Sequence, residues 1–181
     1  MGKADARALQ QEVVELYRSA WTETDFKPAR GDLDSFGERF LRHSEHPDFR
    51  MSIARADQEA MGFAYGYTSV PGGWWRQTVT ADLDEAAIRH WFEDCFEFAE
   101  LAVSPDHQRS GVGAALHEEL LDELPHQTAV LSTQQDNEVA RGFYGRRGWR
   151  AVRENFVFPQ KPYPYIILGL ELASRAKAPG I

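Results

Sequence analysis

Four consecutive segments between residues 96 and 133 constrain the fold more than anything else in the sequence. Phe96, Phe98, Leu101 and Val103 place apolar side chains at both parities of one short run, the pattern of a strand buried on both faces of a sheet. Pro105 ends that run. After a loop containing Gly111 and Gly113, Val112, Ala115, Leu116, Leu120 and Leu124 recur at helical spacing, and residues 128–133 read as a short strand. Strand, glycine loop, helix, strand is a βαβ crossover, so its two strands run parallel and the chain belongs to the α/β (α+β) class.

The remaining elements follow from the period of the apolar residues. Leu9, Val13, Leu16, Tyr17, Ala20 and Trp21 predict a helix over 5–21, and a loop with Pro28 and Gly31 stops it. Asp32 offers an N-cap for a second helix whose stripe is Leu33, Phe36, Phe40 and Leu41, and Pro47 ends it. Phe49, Met51 and Ile53, then Met61, Phe63, Tyr65 and Tyr67, alternate as two strands joined through Asp57. Pro71-Gly72-Gly73-Trp74-Trp75 reads as a loop, followed by a helix over 83–91 capped by Asp82. Asn137 caps a last helix reaching Arg147, and Gly148 supplies a left-handed C′ residue. Strands over 149–158 and 163–172 follow, and the segment 173–181 is expected to fray.

Composition removes several classes of function. A chain of 181 residues can bury one core, and residues 1–181 are expected to form a single domain. With 28 acidic against 20 basic residues the net charge is −8, the wrong sign for a nucleic-acid partner. Cys95 is the single cysteine, which excludes an internal disulfide and a zinc site built on several thiolates. His43 and His46 share one helical face, but such a pair reads as solvated surface and no metal is expected. The apolar run 165–170 is far too short to span a membrane, and residues 1–17 carry charges throughout, so a cytoplasmic protein is expected. A homodimer is compatible with this reading.

The loop after the buried strand carries the chemistry. A helix start presents unpaired N–H groups and a partial positive charge, and small residues there let an anionic diphosphate reach the main chain. A Walker loop would need Gly-Lys-Ser/Thr, whereas Gly113 is followed by Ala114-Ala115. A dinucleotide fingerprint would need a third small residue where Leu116 stands. What the segment resembles is the central motif of the GNAT superfamily of acetyl-CoA-dependent N-acyltransferases. The strand end Leu101-Ala102-Val103-Ser104-Pro105 is followed by Gln108-Arg109-Ser110-Gly111-Val112-Gly113. A second match lies in the helix opened by Asn137, with Ala140, Phe143 and Tyr144, ending in Arg147-Gly148-Trp149.

That resemblance implies a mixed, splayed central sheet flanked by helices, with acetyl-CoA as co-substrate and a small-molecule or peptide amine as acceptor. Pantetheine would pair with the main chain of Leu101, Ala102 and Val103, and the backbone of Gln108, Arg109, Ser110, Gly111, Val112, Gly113 and Ala114 would hold the pyrophosphate. Two departures stand out. The chain begins with a helix where the family has an edge strand, and the connection before residue 95, between the family's third and fourth strands, is enlarged.

Aminolysis needs a neutral amine, which at pH 7 is about one part in 2,500 of an alkyl amine, a cost of about 4.6 kcal/mol. Glu100 is the candidate base in an otherwise apolar strand, with Glu97 and Asp94 behind it; a salt-bridged strand residue is the bland alternative. Tyr144 matches the family's tyrosine that protonates the departing thiolate, and is otherwise a core aromatic like its neighbour Phe143. Asn137 combines a cap with a contact to pantetheine. Trp74, Trp75 and Tyr65 are candidate walls of the acceptor pocket, or else core. A module that binds acyl-CoA without catalysis is the alternative function, and Tyr144 argues against it.

Overall fold

The computed structural model describes residues 1–21, 33–159 and 161–172. In chain order the first elements are α1 (Lys3–Ala20), α2 (Phe36–Ser44), β1 (Arg50–Ala56), β2 (Glu59–Thr68), α3 (Trp74–Thr80), α4 (Glu85–Phe92) and β3 (Cys95–Val103). A 3-10 turn (Pro105–His107) then leads to α5 (Val112–Leu121), β4 (Thr128–Gln134), α6 (Glu138–Gly145), β5 (Arg150–Phe156) and β6 (Tyr165–Glu171). The strands form one mixed sheet in the order β1-β2-β3-β4-β6-β5. Only the crossover pair β3–β4 is parallel among the pairings β1–β2, β3–β4, β4–β6 and β5–β6, as the strand-loop-helix-strand pattern requires.

The chain divides into two compact units, and β3 runs from one into the other. The first unit contains Met1–Thr68 and Ala99–Glu123. In it α1 buries Ala6, Val13, Leu16 and Tyr17, one helical stripe. Phe36 and Phe40 of α2 meet that stripe, and the Phe36 ring stacks on Tyr17 with centroids 3.7 Å apart. The β1–β2 hairpin turns through Asp57 at φ +53° and pairs Met51 with Tyr65 and Ile53 with Phe63. The edge strand that the family carries at its N-terminus is absent among the described residues. Met1 instead exchanges both backbone hydrogen bonds with Met51, each 3.1 Å, on the edge of β1 away from β2.

Gly62 of β2 is fixed by close approach. A Cβ there would lie 2.7 Å from the Ala102 carbonyl oxygen and 3.1 Å from the Val103 Cα, so any side chain would push β2 off the end of β3.

The second unit contains Ser69–Phe98 and the chain from Leu124. Its core gathers Val79, Phe92, Cys95, Val130, Phe156, Phe158 and Ile167. Asn137 caps α6 by accepting from Ala140 N–H at 3.0 Å, and Gly148 adopts φ +86°, both as the sequence predicts.

Three expectations are corrected here. Trp74 and Trp75 open a helix, α3, instead of lying in a loop. The cap of α4 is Asp84, whose Oδ1 accepts from Ala87 N–H at 2.7 Å, while Asp82 forms an ion pair with Arg153 at 2.9 Å. Phe143 is half-buried beneath the Arg147 guanidinium, 3.8 Å from its ring centroid, and Tyr144 beside it is the buried aromatic. Pro28, Gly31, Asp32 and the segment 173–181 lie outside the described residues.

The two aspartates should separate cleanly on mutation. Asp84→Ala should lower unfolding stability by about 1 kcal/mol through loss of a cap, whereas Asp82→Ala, an exposed ion-pair partner, should change it by less than about 0.5 kcal/mol. Urea denaturation of both variants decides; equal losses would remove the cap assignment.

Candidate active site

The loop after β3 is braced by its own side chains. Ser104 Oγ lies 2.8 Å from His107 Nδ1, Ser110 Oγ donates to the His107 carbonyl at 2.5 Å, and the Gln108 amide donates to the Val103 carbonyl at 3.2 Å. Arg109 at φ +60° and Gly111 at φ +94° take left-handed conformations. A Cβ on Gly111 would meet nothing within 4 Å, so the backbone angle, not crowding, selects glycine.

Gly111 is the N-cap of α5, with no side-chain cap and no acidic residue in the first turn. Intrahelical pairing begins with Ala115 N–H on the Gly111 carbonyl at 3.0 Å. The N–H groups of Val112, Gly113 and Ala114 therefore have no acceptor within the helix, at its positive end. The other end is treated differently: Arg50 donates to the carbonyls of Asp122 at 2.6 Å and Glu119 at 3.1 Å. The geometry suits an anion at the start of α5.

Glu100 lies in the same unit as this loop, in the second half of β3, and is partly buried. Arg39 of α2 stands with Nη2 3.7 Å from Glu100 Oε2, and its Nη2 also donates to the Tyr17 hydroxyl at 3.3 Å. Its guanidinium carbon sits 5.1 Å from the Phe36 ring centroid and 5.8 Å from that of Tyr17, within cation–π range. Burial alone would lower the Arg39 pKa, yet Glu100 first, then Tyr17 and Tyr65, hold it above the usual arginine value.

Tyr65 is fully buried in the core of the first unit. Burial, then the charge of Glu100, pushes its phenol well above the ordinary range, with Arg39 opposing. Its hydroxyl oxygen lies 3.2 Å from His43 Nδ1. His43, expected as solvated surface, is instead packed inward; burial, then Arg39, His46 and Arg42, lowers its pKa to about 3. His46 stacks on Tyr67, with ring centroids 4.3 Å apart.

Arg39 and Tyr17 are the residues that sequence reasoning missed. The available signal was a charge three residues after Phe36 and four before His43, on the buried stripe of a helix instead of its polar face.

The second unit holds the other candidates. Tyr144 is buried, 9% exposed, with its ring edge-on to Phe98 at 6.2 Å and to Trp149 at 5.6 Å. Trp75 is half-buried and donates from Nε1 to Ser132 Oγ at 3.2 Å. Trp74 is 63% exposed and stacks on Phe158 at 6.0 Å. Glu97 is buried and accepts from Ser69 Oγ at 2.6 Å. Asp94 spends its carboxylate on Gln127 N–H at 3.2 Å, next to the start of β4. A concavity of about 390 Å³ on this unit, lined by Glu138, Arg141, Gly142, Gly145, Trp149 and Leu168 among others, contains none of these candidates.

Comparison with known proteins gives one answer. Residues 9–149 match the acetyltransferase (GNAT) family. The chain is 34% identical over 121 residues to a GCN5-like protein acetyltransferase of Mycobacterium tuberculosis, covering 62% of this chain and 58% of that relative. It thus spans little more than half the relative's length. Among solved structures, a GNAT-family protein of Desulfovibrio desulfuricans superposes with a TM-score of 0.62 at 21% identity, over 93% of each chain. The Salmonella typhimurium protein yncA, solved with its cofactor acetyl-CoA, gives a TM-score of 0.59 at 17% identity, over 95% of this chain and 91% of that one. These structures establish the fold, and the family match over residues 9–149 establishes the rest: the chain belongs to the GNAT family of acetyltransferases.

Proposed function

We propose that residues 1–181 act as one N-acetyltransferase domain that moves the acetyl group of acetyl-CoA directly to an amine. The observation that carries this reading is the start of α5. A glycine cap, a first turn without acidic residues and three N–H groups without intrahelical acceptors fit a diphosphate. In this reading the backbone of Gln108 to Ala114 holds the pyrophosphate, Leu101, Ala102 and Val103 pair with pantetheine, and Asn137 contacts the same arm while capping α6. The match of residues 9–149 to one family spans both units, which supports a single functional domain.

Glu100 accepts the amine proton, and Tyr144 donates one to the departing thiolate. A buried phenol suits the second task because it is neutral and still a donor. Such a transfer uses no metal. The Mycobacterium tuberculosis relative is named a protein acetyltransferase, which favours a protein amino group as acceptor over a small amine. Trp74, exposed on α3, is the better candidate wall for that acceptor; Trp75 serves the core.

Three experiments test the reading. Ala114→Glu puts a carboxylate in the first turn of α5, where it suits the helix and repels a diphosphate. Thermal stability should hold while acetyl-CoA affinity, measured by calorimetry, falls at least about tenfold; unchanged affinity would remove the loop assignment. Tyr144→Phe should keep fold and acetyl-CoA binding but lower kcat by roughly 10² to 10⁴. A loss under about threefold, with chemistry rate-limiting, would falsify the acid role.

Trp74→Ala should change stability by less than about 0.5 kcal/mol and raise the amine KM. Trp75→Ala should cost roughly 2–3 kcal/mol through lost packing. A Trp74→Ala variant with unaltered acceptor kinetics would show that this ring is not part of the acceptor site.

A further inference from the structure

A charged side chain on the buried stripe of α2 needs a reason. Arg39 sits among Phe36, Tyr17 and Tyr65, and its guanidinium is directed at Glu100 of β3 at 3.7 Å. The exposures of the two side chains are 25% and 17%. Stability does not supply the reason, because a partly buried ion pair exchanged for apolar groups of similar volume is commonly neutral or stabilising. Nor does the pair look like a bidentate clamp. At 3.7 Å this contact is longer than a hydrogen bond, so Arg39 acts on Glu100 through charge at short range.

The surroundings hold Arg39 in this pose. Tyr17 from α1 accepts from Nη2 at 3.3 Å, Tyr65 from β2 lies close enough for the two groups to interact electrostatically, and the stacked rings of Phe36 and Tyr17 lie within cation–π range of the guanidinium. On α2 itself His43 meets the Tyr65 hydroxyl, with Arg42 and His46 beyond it. These charged and titratable groups beside the pair come from α1, α2 and β2.

We propose that Arg39 is a positioning residue for the reaction: it anchors the Glu100 carboxylate in its charged form at one place on β3, ready to accept the amine proton. This rests on the reading of Glu100 as the base. A carboxylate in a partly apolar strand drifts toward its neutral form, which cannot take a proton, and a cation fixed 3.7 Å away opposes that drift. The arrangement trades some basicity for certainty of charge and orientation. A guanidinium serves better than an ammonium because its planar fork reaches a carboxylate and a phenol together.

The test uses Arg39→Met, Arg39→Lys and Glu100→Gln in the full chain, with two readouts. One is the ¹³C titration of glutamate carboxyls, in which Glu100→Gln identifies the Glu100 resonance. The other is the pH profile of kcat/KM for the best available amine. Losing the cation should raise the Glu100 pKa, so the acid limb of activity should move to higher pH, in the same direction as the NMR titration. In Arg39→Met we expect a rise of about one pH unit or more, kcat down at least about tenfold, and KM for acetyl-CoA within twofold. Arg39→Lys should return the titration and the limb toward wild type.

A folded Arg39→Met whose Glu100 titration and acid limb coincide with wild type overturns the proposal. Should that variant fail to fold, Arg39→Gln keeps a polar side chain of similar reach and is read in the same way. If Glu100→Gln retains wild-type turnover, the base reading itself fails and the proposal falls with it. An inactive Glu100→Gln beside an unmoved titration in Arg39→Met would instead reject Arg39 alone.

Discussion

Every backbone group of a strand buried on both faces must find its partner inside the sheet, and for β3 those partners change along its length. Cys95, Phe96 and Glu97 stand in register with Thr128, Ala129 and Val130 of β4. Two residues further, at Ala99, the strand passes into the other unit, where its end is tied to β2. Ser104 N–H donates to the Met61 carbonyl at 2.8 Å, and Gly62 allows Ala102 and Val103 to come close. The Gln108 amide then reaches back to the Val103 carbonyl. The strand therefore sets where Glu100 stands and where the following loop begins. A residue larger than glycine at 62 would disturb both at once.

The two ends of α5 are capped differently. Arg50 satisfies carbonyls at the C-terminal end from the neighbouring edge strand, as a folded protein ordinarily arranges. At the N-terminal end the cap is Gly111 in a left-handed conformation, without a side-chain acceptor. A Ser or Asp cap is worth about 1 kcal/mol over an apolar residue, and glycine recovers most of that only by leaving the N–H groups open to another acceptor. The sequence thus stabilises one end internally and leaves the other open to an anion. Ser104, His107 and Ser110 meanwhile hold the loop in shape from within.

What was legible in the sequence was what is decided locally. Gly148 needed a positive φ, Asn137 needed only its own side chain to cap α6, and the apolar parity of β3 gave its burial, whereas Gly111 read as making room and is selected by its backbone angle instead. The region 71–94 was opaque because tertiary packing overrides local preference there. Trp, Thr and Val are weak helix formers, so Trp74–Thr80 did not read as a helix; burial of Val79 and Trp75 and the Trp75–Ser132 hydrogen bond hold it. Asp82 and Asp84 are equivalent as letters, and only Asp84 stands three residues before an N–H that turns toward it. In the same way Arg39 could not be told from a surface arginine until α1, α2 and β2 were seen to close around it. Glu100 could be singled out in sequence as a carboxylate at the end of a buried strand, but its partner was a matter of packing across 61 positions of sequence.

That packed group has a charge logic of its own. Arg39 and Glu100 are opposite charges, and the groups around them, Tyr17, Tyr65 and His43, serve as neutral dipoles. Tyr65 stays protonated because burial and the charge of Glu100 raise its pKa. His43 stays unprotonated because burial comes first and a second cation beside Arg39 is disfavoured; its pKa falls to about 3 from 6.5. The unfolded chain takes up that proton near the ordinary value and the folded chain only near the lowered one. The contribution of His43 to stability is therefore fully present above about pH 6.5 and is lost progressively as pH falls toward 3. Arg39 and the Glu100 carboxylate thus meet among side chains that burial keeps uncharged at Tyr65 and His43, so their attraction is little screened by other charges on those two groups.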